Sequence, residues 1–112
     1  MLPKQYRLPK EKFQYIYKNG KKLRGKYGML VFVRTEELEN PQLGIVVSKK
    51  IGNAVMRHKM TRLIRNIFVN TVNLKKELKT SPTLLQYVAF EYCEDYHLLE
   101  KELASQLEKA LQ

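Results

Sequence analysis

The chain has 112 residues, enough for one domain with a single modest core. Its 21 lysines and arginines against 11 acids give a formal net charge of +10 and a pI near 9.8, past the domain pI of about 9 at which nucleic acid becomes the expected partner. No apolar stretch approaches the ~20 residues of a membrane-spanning helix, and the basic start MLPKQYRLPKEKF has no apolar region of a signal peptide. The lone Cys93 cannot form an intramolecular disulfide and ends an apolar run, so it reads as a small core or boundary residue. A cytoplasmic protein with no membrane role is the expectation.

Along the chain, Pro9 and KEKFQYIYKNG predict a first helix, with Asn19-Gly20 as a left-handed cap. Residues 27–34, YGMLVFVR, are rich in β-formers, and 43–48, LGIVVS, form a short apolar run after the Asn40-Pro41 breaker. The two read as strands paired in a hairpin. A helix of roughly 18 residues follows from Asn53, a good N-cap type, with Met56, Met60, Leu63, Ile64 and Ile67 on one face and His58, Thr61, Arg62 and Arg65 on a roughly opposite arc. LKKELK predicts a short helix before Ser81-Pro82, and residues 84–92, LLQYVAFEY, a third strand. The tail from about Asp95 is amphipathic, with Leu99, Leu103, Leu107 and Leu111 on one face. The order α-β-β-α-(α)-β-α indicates a small α+β two-layer sandwich, with residues 1–112 as a single domain.

Charge is segregated. Residues 1–34 hold ten basic side chains and one acid, residues 44–66 hold six and no acid, and from residue 87 six acids face two lysines. The segment SKKIGNAVMRHKMTRLIRN, residues 48–66, offers phosphates Lys49, Lys50, Arg57, Lys59, Arg62 and Arg65 where a helix begins, and backbone N–H groups there favour anions. A solvated helix face is the bland alternative, but such faces mix signs. Phe13 and Tyr17 stand one turn apart among lysines, an arrangement that suits base stacking as well as it suits a core. An autonomous catalytic site is not expected. His58 and His97 lie in different segments without metal-ligand spacing. Glu91, Glu94 and Asp95 read as a dipole match at a helix start rather than a Mg²⁺ site.

SKKIGNAVMRHKMTRLIRN closely resembles the signature of the bacterial ribonuclease P protein family: paired lysines, a Gly-Asn-Ala helix start, a basic triplet, then Arg-Leu-Ile-Arg. KEKFQYIYKNG is similar to that family's phenylalanine-rich first helix. The likeness covers residues 6 to about 70. It implies a ribosomal-protein-S5-domain-2-like fold with a left-handed β-α-β crossover, an exception to the usual handedness. It also implies a noncatalytic subunit of an RNA-based endonuclease, paired one to one with the ribonuclease P RNA and acting on precursor tRNA, with no small-molecule substrate. The helix from Asn53, with Lys49, Lys50, Arg57, His58, Lys59, Arg62 and Arg65, would contact the RNA subunit. A cleft between sheet and first helix would take the single-stranded 5′ leader, with Phe13 and Tyr17 at its aromatic positions. Mg²⁺ would be required by the holoenzyme and held mainly by RNA, with none bound tightly by the protein alone. The chain departs from the pattern at His58, Lys59 and Thr61, in the acidic run Tyr92-Cys93-Glu94-Asp95, and at Val31, where a strand aromatic is common and Phe32 lies on the other face. A structural RNA-binding protein, ribosomal or chaperone-like, would use the same basic helix. A DNA-binding regulator would use residues 53–70 as a recognition helix, usually after a preceding helix.

Overall fold

The computed structural model describes residues 2–112. Strands β1 (Lys21–Arg24), β2 (Gly28–Arg34), β3 (Gln42–Val46) and β4 (Thr83–Ala89) form one sheet in the order β1-β2-β4-β3. β2 pairs antiparallel with both β1 and β4, whereas β3 and β4 run parallel. The helices are α1 (Phe13–Asn19), α2 (Ala54–Val72), the single turn α3 (Lys76–Lys79) and α4 (Tyr96–Leu111), with 3₁₀ turns at Lys4–Tyr6, Lys10–Lys12 and Lys49–Ile51.

The main core lies between the sheet and α2 with α4. Met60, Ile64, Ile67 and Phe68 from α2 and Leu99, Leu103 and Leu107 from α4 are fully buried against Leu30, Leu85 and Tyr87. The helical periodicities of both segments therefore face inward as expected, and α2 runs its predicted length. α1 crosses the opposite face of the sheet, where Ile16 closes a smaller core with Leu8, Met29, Val31 and Leu84. Val31 faces α1 and Phe32 the main core, as alternation requires. Cys93 is buried.

The caps are local and match their sequence signals. The Asn53 side chain accepts from Met56 N–H at 2.9 Å, and that of Asp95 from Leu98 N–H at 3.2 Å. Gly52 has φ of 152° and so occupies a conformation that side chains disfavour. That bend turns the Lys49–Ile51 3₁₀ turn directly into α2.

Two expectations are corrected. β2 and β3 do not form a hairpin: β4 lies between them, bonded to each. The apolar run of β3 suits a parallel strand beside β4, which is buried at every position but Val88, and a β3–α2–β4 crossover supplies the connection parallel strands need. The hairpin is formed instead by β1 and β2, and β1 (KKLR) had no apolar alternation to reveal it. Gly20 is not a left-handed cap; its φ is −80° and ψ 158°, extended into β1. Glycine is needed there for close approach, since a Cβ would lie 2.6 Å from Val31 Cγ1 and 2.8 Å from the Ile16 carbonyl.

Candidate nucleic-acid interface

The N-terminal segment builds one wall of the site. Leu2 and Tyr6 are buried in the main core, with the Tyr6 ring edge-on to Phe68 at 5.7 Å. Arg7 bridges Leu43 on the outer edge of β3, and Leu8 then enters the small core beneath α1. The chain thus wraps around that edge from one face of the sheet to the other. It leaves a cleft of about 260 Å³ lined by Arg7, Leu8, Lys10, Phe13, Gly44 and Ile45 on one side and by Thr61 and Arg65 of α2 on the other. An apolar floor with an aromatic ring and four flanking polar or cationic side chains suits a base and its phosphates.

Phe13 is half-buried and packs on the bare backbone of Gly44. A Cβ at Gly44 would come within 2.8 Å of Phe13 Cε1 and of Leu8 Cδ2. Tyr17 is not brought to this cleft. It is exposed on α1, with Lys22 Nζ 5.2 Å from its ring centroid and donating to the Tyr17 carbonyl at 3.0 Å. The two aromatics named from the sequence thus occupy different surroundings, one a groove floor and one an open surface.

The basic arc of α2 presents two further hollows. Ala54, Val55, His58, Lys59 and Arg62 line a shallow one of about 410 Å³. Arg62, Arg65 and Asn66, with Leu2, Pro3 and Val69, line another of about 200 Å³ against the N-terminal segment. Arg65 is half-buried and shared between this hollow and the β3 cleft. Lys49, Lys50 and Asn53 are exposed on the approach to α2, while Arg57 is half-buried with its Nε buried and without a partner. The Thr61 hydroxyl donates to the Arg57 carbonyl at 2.8 Å, so it is turned onto its own helix.

Lys59 differs from its neighbours. Its Nζ donates to Glu94 Oε2 at 2.9 Å, and the Tyr92 hydroxyl donates to the same oxygen at 3.1 Å. The Lys59 hydrogen bond, then that of Tyr92, holds the Glu94 carboxyl below the usual carboxylate range. The pair is exposed and solvent-screened, so a polyanion can compete for Lys59. Asp95 is occupied in capping α4 and Glu94 by Lys59 and Tyr92. The described residues contain no cluster of three or more His, Cys, Asp or Glu side chains that could hold a metal ion. No described helix is long and apolar enough to cross a membrane.

Two contributions to the cleft, Arg7 and Lys10, were not singled out from the sequence. They lie in the basic first third of the chain, but only the turn around the β3 edge brings them opposite Arg65.

The family model for ribonuclease P matches residues 2–111, nearly the whole chain. The chain belongs to the ribonuclease P protein family. A ribonuclease P protein component of Lachnoclostridium phytofermentans is 47% identical over 58 residues, 52% of this chain and 49% of that relative. One from Macrococcus caseolyticus is 47% identical over 68 residues, 60% of this chain and 59% of its own length. The chain therefore aligns with only about half to three fifths of these relatives. Among solved structures, the RNase P protein of Thermotoga maritima superposes with a TM-score of 0.78 at 26% identity, covering 92% of this chain and 98% of that one. The RNase P protein of Staphylococcus aureus gives 0.75 at 26% identity, covering 96% and 98%. The mixed α+β fold with a four-stranded sheet is thus that of the ribonuclease P proteins. Within that fold α2 follows a strand and a 3₁₀ turn rather than a helix, which is not the arrangement of a helix-turn-helix regulator.

Proposed function

We propose that this chain is the noncatalytic protein subunit of a ribonuclease P, acting in the cytoplasm. It binds one catalytic RNA through Lys49, Lys50, Asn53 and the α2 side chains Arg57, His58, Lys59, Arg62 and Arg65. It receives the single-stranded 5′ leader of precursor tRNA in the cleft at β3. The observation that carries this reading is that Phe13 of α1 and Arg65 of α2 line the same groove. A base stacks on the ring while the guanidinium fork meets a phosphate, a division of labour suited to unpaired RNA. Arg62, exposed on the adjoining surface, meets the phosphates of the RNA subunit, and counterion release supplies much of that affinity. Phosphodiester hydrolysis belongs to Mg²⁺ held by the RNA, and the protein contributes binding and orientation of the substrate.

The test is 5′ cleavage of a precursor tRNA by a bacterial ribonuclease P RNA at low Mg²⁺, with the protein, without it, and with the protein alone. Cleavage only when both components are present is the expected result. No stimulation across several RNA types, with the protein folded and RNA-bound, would replace this reading with that of a structural RNA-binding protein.

A further inference from the structure

No acid lies among residues 44–66, and α2 carries none along its whole length, so its basic arc has no carboxylate of its own. One is brought to it from the connection between β4 and α4. Among the described residues a single lysine or arginine side chain is paired with a side-chain carboxylate, and the pair is Lys59 with Glu94 at 2.9 Å. Glu94 is held in place from both sides. The Tyr92 ring packs against the main core, Cys93 is buried, and the Asp95 side chain is fixed in the cap of α4. The Tyr92 hydroxyl donates to the same Glu94 oxygen that Lys59 reaches. Lys59 in turn lines the hollow at the start of α2 with His58 and Arg62. Both partners stay exposed, Lys59 by 58% and Glu94 by 59%, so a polyanion can reach the ammonium.

We infer that Glu94 is an intramolecular competitor for RNA: it occupies the Lys59 ammonium in the free protein, and an RNA phosphate must displace it to make that contact. The inference rests on the RNA-subunit role proposed above for the α2 face. A carboxylate and a phosphate both accept from an ammonium. Two anions at one ammonium repel each other, so they occupy it in turn. An exposed ion pair is weak and screened by salt, so the exchange tempers affinity without blocking binding. Lysine suits the exchange, since its compact charge on a flexible stem can swing between acceptors, whereas a guanidinium fork would hold both carboxylate oxygens.

The experiment measures the affinity of the full chain for a bacterial ribonuclease P RNA, titrated at several salt concentrations. Glu94→Gln keeps the size of the side chain and removes its charge; it should tighten binding about threefold, the worth of an exposed ion pair. Glu91→Gln removes the same charge from an exposed residue of the same connection and should tighten it much less. Lys59→Met should weaken binding and lower the salt slope by about 0.7–0.9, because one phosphate contact is gone. In that background Glu94→Gln should gain no more than Glu91→Gln, since no phosphate is then drawn beside residue 94. Equal gains from Glu94→Gln and Glu91→Gln in the unaltered chain, or an undiminished gain without Lys59, would reduce the effect to net charge and overturn the inference. Unchanged affinity in Glu94→Gln or in Lys59→Met, with Arg62→Ala still weakening binding, would overturn it too and leave the α2 reading standing. If Arg62→Ala also changes nothing, the RNA-binding role of the α2 face itself fails.

Discussion

Replacing Gly44 with alanine places a methyl group against the Phe13 ring, and the consequences can be worked from the geometry. The added carbon would stand 2.8 Å from Phe13 Cε1 and from Leu8 Cδ2, and closer still to Phe13 Cζ. Ordinary carbon contacts are about 3.5–4.0 Å, so the ring must retreat by roughly 1 Å. Phe13 is only half-buried and can yield toward solvent, which puts the cost near the low end of the ~1–3 kcal/mol typical of overpacking. Alanine in a strand is better than glycine by roughly 0.5–1 kcal/mol, which offsets part of this. The net expectation is a loss of up to about 0.5 kcal/mol, or ~2 °C in the melting midpoint. The displaced ring should also weaken binding of leader-bearing precursor tRNA several-fold, a fraction of the ~1–3 kcal/mol of a full stack, with mature tRNA unaffected. A double-mutant cycle isolates the cause. In a Phe13→Ala background Gly44→Ala should be neutral or stabilising, because the ring it would displace is gone. An equal loss of stability with and without Phe13 would refute the packing account, and equal weakening of leader-bearing and mature tRNA would refute the role of the cleft.

Arg62→Ala and Arg65→Ala should each reduce the slope of log affinity for the RNA subunit against log salt by about 0.7–0.9, read from titrations at several salt concentrations; only Arg65→Ala should also weaken leader binding, since Arg65 alone of the two lines the β3 cleft. Asn53→Ala removes the cap of α2 and should cost about 1 kcal/mol in urea unfolding, whereas Asn53→Asp should retain it; equal stability of the three forms would count against the cap. Burial, with the Glu102 carboxylate as the lesser cause, pushes the Tyr87 hydroxyl above its ordinary pKa, and that hydroxyl has no hydrogen-bond partner. The folded state therefore resists an ionisation that the unfolded chain undergoes near pH 10, so this contribution is present below that pH and lost as pH rises above it. Tyr87→Phe should flatten the alkaline decline of stability and leave the neutral-pH value equal or up to about 1 kcal/mol higher; an unchanged alkaline slope in denaturant titrations would show that other groups govern it.

The elements legible in the sequence are those whose signals are local. Asn53 and Asp95 announce the starts of α2 and α4 because a cap is satisfied within three residues. The leucines of α4 and the apolar stripe of α2 declare their buried faces because helical period is a property of consecutive residues. The segment 48–66 carried the family likeness for the same reason, as an uninterrupted run of the chain. Strand pairing is different, because its partners are chosen by burial across the whole chain. Nothing in residues 28–46 could announce that β4, some forty residues on in the sequence, would separate β2 from β3. β1 has no apolar alternation of its own and becomes a strand only because β2 offers it a ladder. The site follows the same division. Sequence determined which residues are basic or aromatic and that α2 is polar on one side. Tertiary structure alone decided that Arg7, Lys10, Phe13 and Arg65 share a groove and that Tyr17 stands apart from it beside Lys22, since each contact joins segments that only the burial of a common core brings together.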